Sequence, residues 1–107
     1  MNDYQYRAGT TALYPDRGRN FVYPTLGLVG EAGELANKVK KVFRDDGGVL
    51  TDEKRHMIAQ ELGDALWYVS QIANEIGFTL EHIAEQNLAK LSSRNHRDQL
   101  HGDGDNR

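Results

Sequence analysis

Apolar residues recur along this chain at intervals of three and four rather than in alternation, and that period predicts helices. The clearest run is Ile58, Leu62, Ala65, Val69, Ile72 and Ile76. Thr51 or Asp52 can cap its start with a side-chain oxygen, and Gly77 suits the left-handed residue that ends a helix. A second run lies in "LVGEAGELANKVKKV", Leu28 to Val42. It predicts a helix from Pro24 or Thr25, where proline is tolerated in the first turn, to Phe43 or Arg44. "DDGG", Asp45 to Gly48, separates the two runs. A further helix is predicted from a Thr79 cap to Arg94, and a short one over residues 2–14 with Asn2 or Asp3 as N-cap. "YPDRGRNFVYP", which holds Pro15 and Pro24, reads as a loop. No strand pattern is present, so the expected fold is all-α: an antiparallel helical bundle with a four-helix core in residues 1–94. Residues 95–107, "NHRDQLHGDGDNR", have no apolar period and are expected to form a flexible C-terminal tail. Asp103 and Asp105 in that tail lack the downstream glutamate that a calcium loop requires.

Two of these helices repeat each other. At an offset of 30 residues, Leu28 aligns with Ile58, Glu31 with Glu61, Gly33 with Gly63, and Glu34 with Asp64. Leu35, Val39 and Val42 then fall on Ala65, Val69 and Ile72. At about 100° per residue, the apolar stripe of each helix runs from roughly −40° to +100° around its first aligned residue. The first acid lies near −60° and the second near −120°, on the same side of the stripe, by the same approximate rotation. Packing through the two stripes would therefore gather Glu31, Glu34, Glu61 and Asp64 at the edge of an interface. Four anions so close repel unless a cation sits among them, and carboxylate oxygens suit Mg²⁺ or Mn²⁺. The glycines between the acids are expected to allow close approach of metal or ligand. A di-iron centre is a poorer match: it needs paired Glu-x-x-His segments, and Glu53 to His56 stands alone in a charged run.

Composition narrows the alternatives. At 107 residues, 38% hydrophobic and a mean hydropathy of −0.69, the chain is one domain with a thin core. A chain of this size buries only about 60–70% of its unfolded surface, so association with other copies is expected. A net charge of −3 argues against nucleic-acid binding, which usually shows a basic excess. The absence of cysteine excludes disulfides and thiolate metal sites. No apolar run approaches the roughly 20 residues that span a membrane, and the N-terminus lacks the regions of a signal peptide. A cytoplasmic protein is expected.

"GEAGEL" followed by "ELGDALWYVSQIA" resembles the MazG-like nucleotide pyrophosphohydrolases, within the all-α nucleoside-triphosphate pyrophosphatase superfamily. The likeness spans residues 25–94 and rests on E-x-x-E in one helix and E-x-x-D in the next. It implies Mg²⁺-dependent cleavage of a nucleoside triphosphate to the monophosphate and pyrophosphate, with Glu31, Glu34, Glu61 and Asp64 as metal ligands. Many members carry two adjacent acids at the start of the first motif, whereas here Gly30 precedes Glu31. "NLAKLSSR" is similar to the family's basic fourth segment, which implies that Asn87, Lys90 and Arg94 contact the nucleotide. The resemblance also implies a homodimer or homotetramer in which helices of two subunits complete the bundle and the cleft.

The implied chemistry fits the residues. An acidic protein needs cations to hold a triphosphate, and bound Mg²⁺ would neutralise transition-state charge and acidify an attacking water at the α-phosphate. Glu34 or Glu61 is the candidate to orient or deprotonate that water. Lys38, between the phases of the two acids, is a candidate phosphate contact, and Tyr68, its counterpart, a candidate base or sugar contact. Trp67, on the opposite side of its helix, is expected at a subunit interface. Phosphoribosyl-ATP pyrophosphohydrolase, with related acidic motifs, and a catalytically inactive helical interaction module are the alternatives.

Overall fold

The chain is seen in a computed structural model that describes residues 2–101. Four helices follow one another: α1 (Asn2–Gly9), α2 (Val22–Asp46), α3 (Asp52–Ile76) and α4 (Leu80–His101). No strand occurs among the described residues, so the all-α expectation holds. None of these helices is long and apolar enough to cross a membrane.

Local chemistry accounts for the ends. Thr51 caps α3, its side chain accepting from the Lys54 amide at 3.2 Å, and Gly77 closes it in the left-handed region at φ 81°. Gly47 ends α2 in the same way, at φ 63°. Thr79 caps α4 through the His82 amide. α1 stops at Gly9, five residues before its expected end at 14. Thr10 and Thr11 turn their hydroxyls back onto the carbonyls of Arg7 and Ala8, both at 2.7 Å, and take up acceptors a further turn would have used. α2 starts at Val22, before its proline, because Asn20 Oδ1 accepts from the Tyr23 amide. α4 continues past its expected end at Arg94 to His101, so residues 95–101 are helical. No glycine or proline interrupts "NHRDQLH", and a helix needs no apolar period to propagate through such residues. Asp103 and Asp105 lie outside the described residues.

α3 is the central element. α2 packs antiparallel along it, α1 packs on it, and α4 meets α1. The α2–α3 pairing is marked at three levels: Gly27 against the Tyr68 ring, Glu31 beside Glu61, and Asp46 ion-paired to Lys54 at 3.5 Å. The seam does not follow the middle of the apolar stripes. Pro24, Leu28, Glu31, Leu35, Lys38 and Val42 of α2 are buried or half-buried. Val29 and Phe43, from the other half of the stripe, are 66% and 70% exposed, and Leu62 of α3 is 53% exposed. Gly27 supplies the cause: a β-carbon there would fall within 2.6 Å of three ring atoms of Tyr68. Only glycine lets Tyr68 lie against the α2 backbone, and the two helices roll together toward that side.

The segment between α1 and α2 is tied down by one side chain. Glu75 of α3 accepts from the Tyr14 hydroxyl, from the Gly18 amide at 2.8 Å and from the Asn20 amide at 2.7 Å. Burial pushes this carboxyl up, but those three donors and nearby Arg17 outweigh it and hold the group below the ordinary glutamate value. The Tyr14 phenol is pushed up to about 12, by burial first and then by its bond to Glu75. Its ring stacks on Tyr23, centroids 4.9 Å apart. Gln5 of α1 clamps the α3–α4 turn, donating to Asn74 Oδ1 and the Phe78 carbonyl and accepting from the Leu80 amide.

Candidate metal centre

The rolled seam puts acids where an apolar contact was expected. Glu31 and Glu61 sit half-buried in the α2–α3 contact itself, with exposed Asp64 beside them. Each offers a carboxylate oxygen, and these oxygens lie within 4.8 Å of one another. The proton on Glu31 is held above the ordinary glutamate range, first by a hydrogen bond to Glu61, then by burial, then by the charges of Asp64, Glu61 and Glu34. Three carboxylates thus crowd into one space, and a proton is what relieves them in the protein alone. A divalent cation would do the same with more charge. All the donors are carboxylate oxygens from two rigid helices, the hard set that suits Mg²⁺ or Mn²⁺, so the residues fit the ion the sequence implied.

The fourth acid stands apart. Glu34 is exposed, outside the close trio, although its charge reaches Glu31. It forms no ion pair with Lys38 among the described residues. Lys38 is half-buried on the seam face one turn further along α2. Tyr68 packs on Gly27, and its phenol is pushed up by burial and by the charges around it, including those of Glu31 and Asp64. The tyrosine expected to touch substrate therefore belongs to the wall of the acid cluster. Asn87, Lys90 and Arg94 lie on α4, which packs on α1 and not along the α2–α3 seam.

His56 Nδ1 lies 2.8 Å from the Asp52 carbonyl, a contact within its own helix. Trp67, expected at a subunit interface, donates to Thr11 Oγ1 at 2.9 Å and meets Tyr68 edge-on within its own chain. Gly33 and Gly63 have nothing within 4 Å of a built β-carbon, so no neighbour in the protein requires them to be glycine. Gly30 is equally open. The glycine that matters for packing is Gly27, which lies outside the acid-x-Gly-acid repeat. The Tyr4 phenol of α1 is pushed up by burial and then by the charge of Asp64.

Comparison with known proteins places these observations in context. Residues 24–97 match the MazG nucleotide pyrophosphohydrolase domain, a span that contains all four acids and all three α4 residues. The chain is similar to the Gene 37 protein of Mycobacterium phage L5, with 50% identity over 109 aligned residues, covering 97% of this chain and 96% of the relative. No solved structure matches significantly.

Proposed function

Because the chain belongs to the MazG nucleotide pyrophosphohydrolase family, we propose that it cleaves a nucleoside triphosphate between the α- and β-phosphates, releasing the monophosphate and pyrophosphate. The observation that carries this reading is the crowding of Glu31, Glu61 and Asp64 into one oxygen-lined space on two rigid helices. Those three would hold Mg²⁺, with Glu34 at the rim. When bound, the ion would supply positive charge to the phosphate oxygens and acidify a coordinated water. Glu34 or Glu61 would orient that water or take its proton. Lys38, half-buried one turn beyond Glu34 on α2, would meet a phosphate oxygen, and Tyr68 would border the sugar or base.

The cleft needs more than one chain. A radius of gyration of 17.4 Å exceeds the about 13 Å of a compact domain of 100 residues. Val29, Phe43 and Leu62 are left open along the seam, and Leu88 and Leu91 along α4. A homodimer or homotetramer would cover them and bring Asn87, Lys90 and Arg94 of one copy to the acids of another. Light scattering that returns the mass of one chain at micromolar concentration would exclude this assembly. Cytoplasmic action goes with the proposed substrate.

The test is product analysis. Incubated with a panel of standard and modified (d)NTPs, the protein should release equimolar pyrophosphate and monophosphate from at least one of them, and only with Mg²⁺ or Mn²⁺. Release of orthophosphate and a diphosphate would mean a different bond is broken. Activity confined to phosphoribosyl-ATP would move the chain to that neighbouring specificity. No turnover together with no bound metal would leave an interaction module.

A further inference from the structure

Glu75 occupies nearly the same phase of α3 as Glu61 and Asp64, about 16 to 21 Å further along the helix. It could be mistaken for a remote member of the acid set, yet both of its oxygens are engaged, one by Tyr14 and Gly18 and the other by Asn20. We infer that Glu75 is a positioning residue for the metal centre, fixing α2 against α3 so that Glu31 meets Glu61 and Asp64 at coordinating distance. This rests on the metal-binding reading above.

The connection is short. Asn20, whose amide Glu75 holds, receives the Tyr23 amide on its own side chain and so secures the first turn of α2. Tyr14, on the other oxygen, stacks on Tyr23. At its far end α2 is held by the half-buried Lys54–Asp46 pair, beside a turn in which Gly47 and Gly48 both have positive φ. α2 is thus tied by polar contacts at both ends, with Glu31 and the Gly27–Tyr68 packing contact between them. If the upper pin is released, α2 swings about the lower one. Fifteen of the 24 residue steps separating Asp46 from Val22 lie below Glu31, so a 1 Å swing at Val22 moves Glu31 by about 0.6 Å on a straight helix. Metal–ligand distances tolerate about ±0.2 Å. Mg²⁺ demands near-ideal octahedral geometry, whereas Ca²⁺ accepts irregular oxygen sets. Loss of the pin must therefore weaken Mg²⁺ more than Ca²⁺.

The test compares wild type, E75Q, Y14F and T79A by calorimetric titration of the metal-free full chain with Mg²⁺ and separately with Ca²⁺. T79A removes the α4 cap and serves as the control for stability loss away from the seam. E75Q should bind Mg²⁺ about tenfold more weakly, the scale on which outer partners tune metal sites. Its Ca²⁺ affinity should change by less than about threefold, because that ion's geometry is more permissive. Amide exchange at Gly18 and Asn20 should speed up in E75Q alone. Y14F keeps the ring stack but removes one hydrogen bond. It should shift the Mg²⁺ to Ca²⁺ ratio in the same direction, and it carries the test alone if E75Q does not fold. An unchanged ratio in both variants, or an equal change in T79A, overturns the positioning role while leaving the metal site standing. Wild type that binds no Mg²⁺ overturns the metal reading and this inference with it.

Discussion

Glu31→Gln should make the metal-free protein more stable at neutral pH while lowering Mg²⁺-dependent turnover by at least about 100-fold, more than the 10- to 100-fold typical of outer partners because a direct ligand is lost. The two effects share one cause. Glu31 lies half-buried against Glu61, with Asp64 and Glu34 adding negative charge, and its proton is held above the ordinary value of 4.5. A carboxyl whose folded-state pKa is raised binds more protons folded than unfolded between the two values. Its contribution to stability is complete below the ordinary glutamate value and is lost as pH rises through the raised folded value. Glutamine carries no such proton linkage. The stability gap between E31Q and wild type should therefore widen across that window and stay constant above it, in thermal melts with a chelator present. Saturating Mg²⁺ should raise the melting temperature of wild type and leave E31Q almost unmoved, since ligand stabilises only a state that binds it. A melt of E31Q that matches wild type at every pH would mean that the crowding of acids is absent in solution.

Gly27→Ala should destabilise the fold by about 1–3 kcal/mol, the usual cost of forcing extra atoms into a filled contact. The introduced methyl would press on Cε1, Cζ and Cδ1 of Tyr68, so the ring must leave the α2 backbone or the helices must part. Gly33→Ala provides the contrast. With nothing within 4 Å of its β-carbon, it should stabilise α2 by about 1 kcal/mol, the ordinary propensity gain over glycine. The same substitution should impair turnover if the space beside the acids serves metal or nucleotide. Two glycines six residues apart in one helix thus have opposite expected signs, which denaturant unfolding can check. Tyr68→Ala combined with Gly27→Ala should cost less than the sum of the two single losses, because the two residues touch and their effects are not additive. Equal stability of G27A and wild type would place the helices further apart than described.

How much of this was legible in the sequence follows from range. The helix period, the Thr51 and Thr79 caps and the Gly77 stop are local features and were readable where they stand. The meeting of Glu31, Glu61 and Asp64 was readable because the 30-residue offset sets the acids in the same phase on two helices, although Glu34 lies outside that trio. The seam itself was not. A hydrophobic stripe of about 140° admits several contact faces, and the choice among them is made by Gly27 receiving Tyr68, a meeting of residues 41 positions apart. That choice carried Glu31 and Glu61 from the margin of the contact into it and left Val29 and Phe43 outside. Glu75 was hidden for the same reason: its partners, Tyr14, Gly18 and Asn20, lie at least 55 residues away in a segment that reads only as loop. The end of α4 was missed because a solvated helix needs no apolar period, and the docking of α4 on α1 has no local signature at all.

The central claim is attack by water on the α-phosphate at an acid cluster that holds Mg²⁺. It is tested most directly by running the hydrolysis of a cleaved triphosphate in ¹⁸O-water with Mg²⁺ and locating the label by mass spectrometry. The oxygen should enter the nucleoside monophosphate and leave pyrophosphate unlabelled. Label in pyrophosphate, or release of labelled orthophosphate, would place the attack at another phosphorus and contradict it.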